Sequence, residues 1–394
     1  MDPAVFDELE HTLTADGPEA ACRRLCDRLR EEKDYHALFY ALLMQKRHEL
    51  GVSPVPTGPS KDLPESAHAP YEDAIRHAGR LVGGLYLEEG RLPEAWWYFR
   101  MLGEPGPVKA ALEARQPVEG DDVQSLVQIA FYEGVHPRKG FDWVLERFGI
   151  CSAITTLGGQ EVRHAAEDRQ YCLQRLVQAL YSELRERLAA EIERRDGKRP
   201  PEADAAEGAV LKLIEGRDWL FEDDGYHIDT SHLSSVVQMS VDLPPCKELH
   251  LARELCAYGK RLSGRFRGRN EPPFEDLYEA YDKYLGVLTG EDVEGGVAYY
   301  REQVEKNAAE GGGTFPAEVL VNLLLRLERP KEALAVARKH LVNADGQRLT
   351  CPGVAELAQQ VGDYRTLAEA AREKGDAVHF LAGLLGARGK QSER

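Results

Sequence analysis

The chain has 394 residues and a formal charge of −17, with 67 acidic residues against 50 basic ones. This length exceeds what a single hydrophobic core usually organises, so we expect several domains or an elongated array of repeats. The excess of acidic residues disfavours sequence-independent binding to nucleic acid or anionic lipid, because such binding requires clustered Lys and Arg. We therefore expect neither nucleic acid nor a membrane as partner.

The first residues, Met-Asp-Pro-Ala-Val-Phe-Asp-Glu, lack the basic and apolar regions of a secretory signal. No uninterrupted apolar run approaches the roughly 18 residues that are needed to cross a bilayer. The seven cysteines form no Cys-x-x-Cys pair and mostly fall in helical patterns, which is typical of reduced, buried thiols. These features favour a soluble, cytoplasmic protein.

Residues 1–50 predict an antiparallel helix hairpin. Apolar residues recur at helical spacing on both sides of a break at Lys33-Asp34. Residues 51–70 then contain five prolines among Ser, Thr and Gly, a composition that disfavours both helix and strand. We predict a linker or an extended flap there.

Residues 71–120 predict a second hairpin, and here the spacing becomes specific. Tetratricopeptide repeats place small, aromatic and proline residues at fixed intervals. The residues at the matching positions are Gly83, Tyr86, Ala95, Phe99 and Pro107. The segment therefore resembles this family, and the resemblance implies two helices that approach closely at the small residues, with aromatic rings in the wedge between them.

Hairpins of the same kind return in residues 291–394. Ala317–Leu327 and Pro330–Leu341 form one predicted pair, and Cys351–Val361 and Tyr364–Lys374 form a second, more divergent pair. The resemblance thus covers both flanks of the chain and not its centre. It implies an all-α, tetratricopeptide-like α-solenoid of antiparallel helix hairpins, whose concave face is expected to bind a protein or peptide.

Residues 121–290 are predicted to be a non-repeat helical insert. Asp121 or Asp122 is expected to cap one helix, and a long helix with a leucine seam is predicted over Gln160–Arg195. The basic run Lys260–Arg269 could meet a phosphate or a carboxylate, although a solvated turn is the commoner explanation for such charge.

Three clusters of metal-ligand residues lie in this insert: Glu133-x-x-His136, Glu161-x-x-His164 and His227-x-Asp229-x-x-His232. Imidazole nitrogens and carboxylate oxygens hold zinc, manganese or iron, and residues three apart share one face of a helix. The Glu-x-x-His spacing also occurs in helical di-metal proteins, but the third cluster does not fit a ferritin-like bundle. The clusters predict a divalent-metal site.

The first functional hypothesis is a metal-dependent hydrolase, lyase or isomerase that acts on a small polar substrate. Its predicted ligands are His136, His164, His227, Asp229 and His232. The ion would polarise a substrate oxygen or lower the pKa of a bound water. Glu161 or Glu133 is predicted to act as the general base.

Each cluster also has an ordinary explanation. Asp229 is placed to cap a helix, Glu161 suits the positive end of a helix, and His136 precedes Pro137 in a loop. In that alternative the chain is a non-catalytic interaction scaffold whose concave face binds a peptide or a partner helix. The sequence leaves both functions open.

Overall fold

The computed structural model describes residues 4–57, 63–116, 118, 122–159, 165–205, 208–267 and 270–392. The predicted all-α class is confirmed, since these residues form helices joined by turns and contain no β-strand. The contacts divide the chain into two compact units. Unit 1 takes in the described residues up to Phe148, and unit 2 takes in those from Gly149 onwards.

Unit 1 is a succession of helices. Helices α1 to α7 are, in order, Ala4–Asp16, Pro18–Glu31, Tyr35–Glu49, Glu65–Glu88, Leu92–Leu102, Gly106–Ala114 and Val123–Val127. From α1 to α6, each helix packs on the one before it. A π-helix, Gln128–Tyr132, continues from α7. Helix α8, Pro137–Gly158, is interrupted at Gly149, whose φ of 78° and ψ of −178° are not helical; the two units divide there.

The hairpin of α4 and α5 closes at residues without bulky side chains. A Cβ on Gly83 would lie 2.8 Å from Cε2 of the Phe99 ring, and a Cβ on Gly79 would lie 3.2 Å from Leu102. Ala95 and Phe99 are buried. Because glycine has no side chain, the two helices come close enough for the Phe99 ring to fill the space between them.

Helix α4 starts earlier than the proline content of residues 51–70 predicts. It begins at Glu65 and includes Pro70. Proline lacks the N–H that would bond the carbonyl four residues earlier, but this loss is confined to the second turn of a 24-residue helix. Ala67 and Tyr71 are buried beside it, and their packing offsets the missing hydrogen bond.

Unit 2 forms around one long helix, α9, Ala166–Asp196, whose buried residues include the predicted leucine seam. The helix starts later than Gln160, because Ala165 before it has an extended backbone. Helices α10, Ala209–Ile214, α11, Thr230–Ser240, and α12, Lys247–Arg261, all pack on α9. The first part of unit 2 is therefore a cluster around a central helix.

The rest of unit 2 is again sequential. Helices α13 to α20 are Gly264–Arg267, Leu277–Leu288, Val293–Ala309, Phe315–Arg326, Pro330–His340, Val354–Val361, Tyr364–Lys374 and Ala377–Ser392. From α14 onwards each helix packs on the next. The two hairpins predicted here are present, as α16 with α17 and α18 with α19. Ala333 and Ala337 are fully buried, so small residues again mark the close contact. This succession is compatible with a helical repeat.

Helix packing, without disulfide crosslinks, holds the described structure together. None of the seven cysteines, all of which lie in the described residues, forms a disulfide, and Cys172, Cys256 and Cys351 are buried. Burial, followed by the nearby Glu318, raises the pKa of Cys351 to about 12, so this thiol stays protonated and packs as a small apolar group. Within the described part of the chain, no helix has both the length and the apolar character required to cross a bilayer.

Candidate functional site

The predicted metal ligands fall into separate groups. Glu133 and His136 belong to unit 1, and the cluster His227–His232 belongs to unit 2. Glu161 and His164 lie outside the described residues. Among the residues that are described, no three His, Cys, Asp or Glu side chains are grouped so that they could hold a metal ion. The metal site therefore stays a prediction.

Glu133 positions two side chains of α5. Its Oε2 accepts a hydrogen bond from Trp96 Nε1 at 2.7 Å and another from Arg100 Nη1 at 2.9 Å. Trp96 and Arg100 are four residues apart and share one face of α5. The carboxylate thus ties the end of the π-helix to α5 through one neutral and one charge-assisted hydrogen bond.

His136 bridges α6 and the start of α8. Its Nδ1 accepts from the backbone N–H of Lys139 at 3.4 Å, and its Nε2 pairs with the carboxylate of Glu113. The first bond requires that Nε2 carries the ring proton, which it then donates to Glu113. The hydrogen bond from His136 lowers the pKa of Glu113. Both ring nitrogens of His136 therefore have partners within unit 1.

The segment before α11 supports the ordinary explanation of the third cluster. Asp229 Oδ1 accepts from the backbone N–H groups of Ser231 and His232 at 2.8 and 3.2 Å, which is an N-cap. The Ser231 hydroxyl, followed by these backbone donors, lowers the pKa of Asp229. His227 lies against Tyr258, whose hydroxyl oxygen is 3.1 Å from Nδ1. Burial lowers the pKa of His227, which favours the neutral ring.

A groove of about 570 Å³ opens in unit 1 between α5, α7 and the π-helix. Its lining residues are Pro93, Trp96, Trp97, Arg100, Met101, Ser125, Gln128, Ile129 and Glu133. Trp97 and Met101 are 52% and 46% exposed, although large apolar side chains are usually covered. They are four residues apart on α5 and form one stripe. We call this site the aromatic groove.

The wall that faces α5 is built by α7 and the π-helix. Asp122 caps α7 by accepting from the Ser125 N–H at 3.1 Å, as the sequence predicts. Ile129 and Phe131 of the π-helix are buried, and a Cβ on Gly140 of α8 would lie 2.7 Å from the Phe131 backbone nitrogen. The close packing of α8 against Phe131 therefore holds this wall of the groove in place. Single π-helical turns occur frequently at functional sites.

Unit 2 contains a larger cleft of about 830 Å³ between α9, α12 and α14. Its charged groups are largely paired with one another. Arg253 contacts Asp282 at 2.9 Å and Glu291 at 2.5 Å. The buried Glu254 accepts from the Tyr181 hydroxyl at 2.8 Å. Because its carboxylates already have donors from the protein, the cleft indicates structural polar packing more than a ligand site.

The described part of the basic run forms ion pairs within the chain. These pairs are Arg261 with Asp218, Arg265 with Asp224 and Arg267 with Asp276. Neighbouring acids thus neutralise these three described cations of the run. This arrangement supports the solvated-turn explanation of the charge.

The sequence interpretation did not single out Trp96, Trp97 and Met101. The sequence of α5 nevertheless points to these residues, because the helix is apolar on more than one face. Ala95 and Phe99 already supply the buried stripe, so the additional apolar residues exceed what one core-facing surface needs. A helix of this kind indicates either a second buried contact or a binding surface.

The chain matches no protein-family model, none of the curated proteins and none of the solved structures. What the protein does is therefore inferred from its own residues.

Proposed function

We propose that the protein is a tetratricopeptide-like, non-catalytic scaffold whose aromatic groove binds a peptide segment of a partner protein. The observation that carries this proposal is the exposure of Trp97 and Met101 beside Trp96 on the wall of a preformed groove. Covering apolar surface is worth about 25 cal/mol per Å². Tryptophan, methionine and arginine are also the residue types enriched at the centres of protein interfaces.

The chemistry of the groove favours an occupant with one large uncharged anchor. Trp97 and Met101 offer an apolar surface, while the Gln128 amide offers a donor and an acceptor for a peptide backbone. Arg100 and Glu133 face each other at 2.9 Å and neutralise each other. A volume of about 570 Å³ suits a few side chains of an extended or helical segment.

The packing of α4 on α5 supports the tetratricopeptide-like part of the proposal. Gly83 faces Phe99, and Ala95 is buried, as the family pattern implies. The successive packing from α1 to α6 and again from α14 to α20 is what stacked hairpins produce. Proteins built in this way commonly bind partners along one face of the stack.

Replacing Trp97 by alanine is expected to weaken peptide binding at least about tenfold, because truncating a central interface tryptophan commonly costs about 2 kcal/mol. Peptides are selected from a random phage-displayed library against the 394-residue chain. Their Kd values for the wild type and Trp97→Ala are then measured by calorimetry. Val55→Ala is the matched control, since Val55 is a similarly exposed apolar residue outside the groove.

Two results would contradict the groove proposal. Peptides that bind wild type and Trp97→Ala with equal affinity would place the binding site elsewhere, and failure to select any peptide would remove the proposed activity. Loss of folding is not expected to confuse the result, because Trp97 is half exposed. Circular dichroism checks that the helix content of the variant is unchanged.

Metal-dependent catalysis is the rival proposal, and metal binding distinguishes the two. Since Glu133, His136 and Asp229 are engaged in contacts within their own units, we expect zinc, manganese or iron(II) to leave the melting temperature unchanged. An ion that binds only the native state, at a hundred times its Kd, would add about 2.7 kcal/mol. Near-stoichiometric metal in untagged protein, lost on His227→Ala or His232→Ala, would contradict the scaffold and support the enzyme.

A further inference from the structure

Unit 2 contains a further pocket, of about 680 Å³, between α14 and α16. Its aromatic lining residues are Phe274, Tyr281, Tyr284 and Phe315, and its charged ones are Asp242 and Arg326. Pockets that enclose small-molecule ligands commonly have volumes of about 300–1,000 Å³ and combine an apolar lining with a few polar groups. This pocket has both properties, and we call it the tyrosine pocket.

Aromatic packing fixes one wall of the tyrosine pocket. The Phe274 ring stacks on the Tyr281 ring, with centroids 4.2 Å apart and planes 8° apart. The fully buried Tyr300 of α15 meets the rings of Phe274 and Tyr284 edge to face. Its hydroxyl donates to the Ala280 carbonyl at 2.7 Å. These contacts hold the rings in place without help from a ligand.

Two tyrosine hydroxyls of this wall are free to bond a ligand. Tyr281 and Tyr284 are only 9% and 6% exposed, and both line the pocket. No group in the described part of the chain bonds either hydroxyl, yet neither oxygen is sealed from solvent as that of Tyr278 is. Burial raises the pKa of Tyr284 to about 12, against an opposing effect of the nearby Arg326, and also raises that of Tyr281. Both hydroxyls therefore keep their protons at neutral pH and can donate.

Arg326 adds a positive charge that no carboxylate of the described residues neutralises. Its Nη1 and Nη2 donate to the carbonyls of Val241 and Leu243, which are neutral, and it forms no ion pair among those residues. Three of the five N–H donors of a guanidinium remain. Asp242, the other charged residue of the lining, is already paired with Arg169 at 3.0 Å. The unpaired charge at the pocket is thus positive and favours an anion.

Helix α16 supplies the opposite wall. Phe315, Val319, Asn322 and Arg326 follow one another at spacings of four, three and four residues, so they share one face of the helix. The Phe315 ring is 42% exposed at one end of this stripe, and Arg326 lies at the other end, about 16 Å away along the helix axis. The wall therefore runs from an aromatic ring to a cation.

We propose that the tyrosine pocket binds an elongated aromatic carboxylate. Its rings lie along Phe274 and Phe315, and its carboxylate accepts hydrogen bonds from Arg326 and the tyrosine hydroxyls. Covering the half-exposed Phe315 ring removes apolar surface from water, and the bonds to the carboxylate are charge-assisted. This site is independent of the aromatic groove, which belongs to unit 1.

Three probes that differ in charge test the pocket by calorimetry on the 394-residue chain. They are para-phenylbenzoate, which is anionic, para-phenylbenzamide, which is neutral and of similar shape, and para-phenylbenzylamine, which is cationic at neutral pH. The benzoate is expected to bind at least about tenfold more tightly than the amide, and the amine most weakly. Equal binding of benzoate and amide, tighter binding of the amine, or no binding of the benzoate at millimolar concentration would each overturn the proposal.

A variant that carries both Tyr281→Phe and Tyr284→Phe removes the two hydroxyls and keeps the rings. It is expected to raise the Kd of para-phenylbenzoate at least about tenfold, because hydrogen bonds to a charged group are lost. Tyr278→Phe is the matched control, since Tyr278 lies on the same helix and its sealed hydroxyl does not line the pocket. It should bind the benzoate like wild type. Unchanged affinity in the double variant would contradict the proposal.

Substitutions in the other wall separate the ring from the charge. Phe315→Ala is expected to weaken the benzoate and the amide by a similar factor, and Arg326→Gln is expected to remove most of the preference for the benzoate. Because Arg326 also ties α16 to two carbonyls, circular dichroism checks that this variant is folded. Trp97→Ala should leave benzoate binding unchanged; a loss there would place the probe in the aromatic groove instead.

An aromatic carboxylate can be a free molecule or the end of a chain. The dipeptide glycyl-para-phenylphenylalanine carries the same rings and a carboxylate at a chain end, so its Kd is compared with that of para-phenylbenzoate. The tighter of the two identifies the source and supports the pocket chemistry, provided that the double tyrosine variant weakens it. Failure of both to bind would exclude the proposed ligand class.

Discussion

Replacing Glu254 by alanine is expected to destabilise unit 2 by about 1–3 kcal/mol, because it leaves buried donors without their shared acceptor. Glu254 lies on α12 and is 7% exposed. Its Oε2 accepts from the Tyr181 hydroxyl at 2.8 Å and from the N–H groups of Val210 and Leu211 at 3.1 and 3.4 Å. The shift in the midpoint of urea denaturation measures the loss.

The size of this effect follows from the three helices that Glu254 joins. Tyr181 lies on α9, Val210 and Leu211 belong to the first turn of α10, and Glu254 itself lies on α12. Helix α10 has only six residues, so it depends on its neighbours for stability. The carboxylate satisfies N–H groups that have no partner within the helix. Burial, followed by the bond to Glu254, raises the pKa of Tyr181, which keeps its hydroxyl a donor.

Glu254→Gln is the matched control, because it keeps one acceptor oxygen in the same place. We expect it to cost at most about 1 kcal/mol, less than the alanine variant. A double-mutant cycle with Tyr181→Phe isolates the bond between the two side chains, and a coupling of about 0.5–3 kcal/mol is expected for groups in direct contact. A Glu254→Ala variant that unfolds at the wild-type urea concentration would show that these hydrogen bonds contribute little to stability.

Alanine substitutions at the adjacent residues Gly83 and Gly84 of α4 are expected to change stability in opposite directions. A Cβ at Gly83 would lie 2.8 Å from the buried ring of Phe99, so Gly83→Ala should cost about 1–3 kcal/mol through overpacking. A Cβ at Gly84 meets nothing within 4 Å. Gly84→Ala should therefore gain up to about 1 kcal/mol from the better helix propensity of alanine. Chemical denaturation of both variants measures the two changes.

Each glycine variant serves as the control for the other, since both add the same methyl group to the same helix. If Gly83→Ala is as stable as Gly84→Ala, the Phe99 ring moves aside, and α4 and α5 do not require a glycine at their contact. That result would also weaken the tetratricopeptide-like assignment, because Gly83 occupies a small-residue position of the family pattern. If α4 and α5 do require a glycine at their contact, only Gly83→Ala is destabilised.

The structure confirms those local predictions that depend on a few neighbouring residues. Asp122 and Asp229 cap their helices because a side-chain oxygen at that position reaches the next free backbone N–H groups. The pairs α16–α17 and α18–α19 fall where the apolar periodicity places them. Even the error at Pro70 is local, since composition signals the cost of a proline but not the packing that offsets it.

Contacts between residues that lie far apart in the sequence do not follow from short sequence patterns. The spacing of Glu133 to His136 predicts a metal ligand or general base, yet its hydrogen-bond partners are Trp96 and Arg100, 37 and 33 residues away. His136 pairs with Glu113, which no motif contains. A carboxylate in a sequence shows only that it can accept hydrogen bonds or bind an ion. Its neighbours in space decide which of these it does.

The amino-acid sequence by itself determined that this is an all-α protein of helix hairpins, because helical periodicity, caps and helix-breaking residues act over a few positions. The tertiary structure decided which surplus apolar side chains stay exposed, so that Trp97 and Met101 line a groove while Tyr278 and Tyr284 are buried. It also decided that Glu254 completes a contact among three helices. Both outcomes depend on how distant helices pack, and no short-range pattern encodes that arrangement.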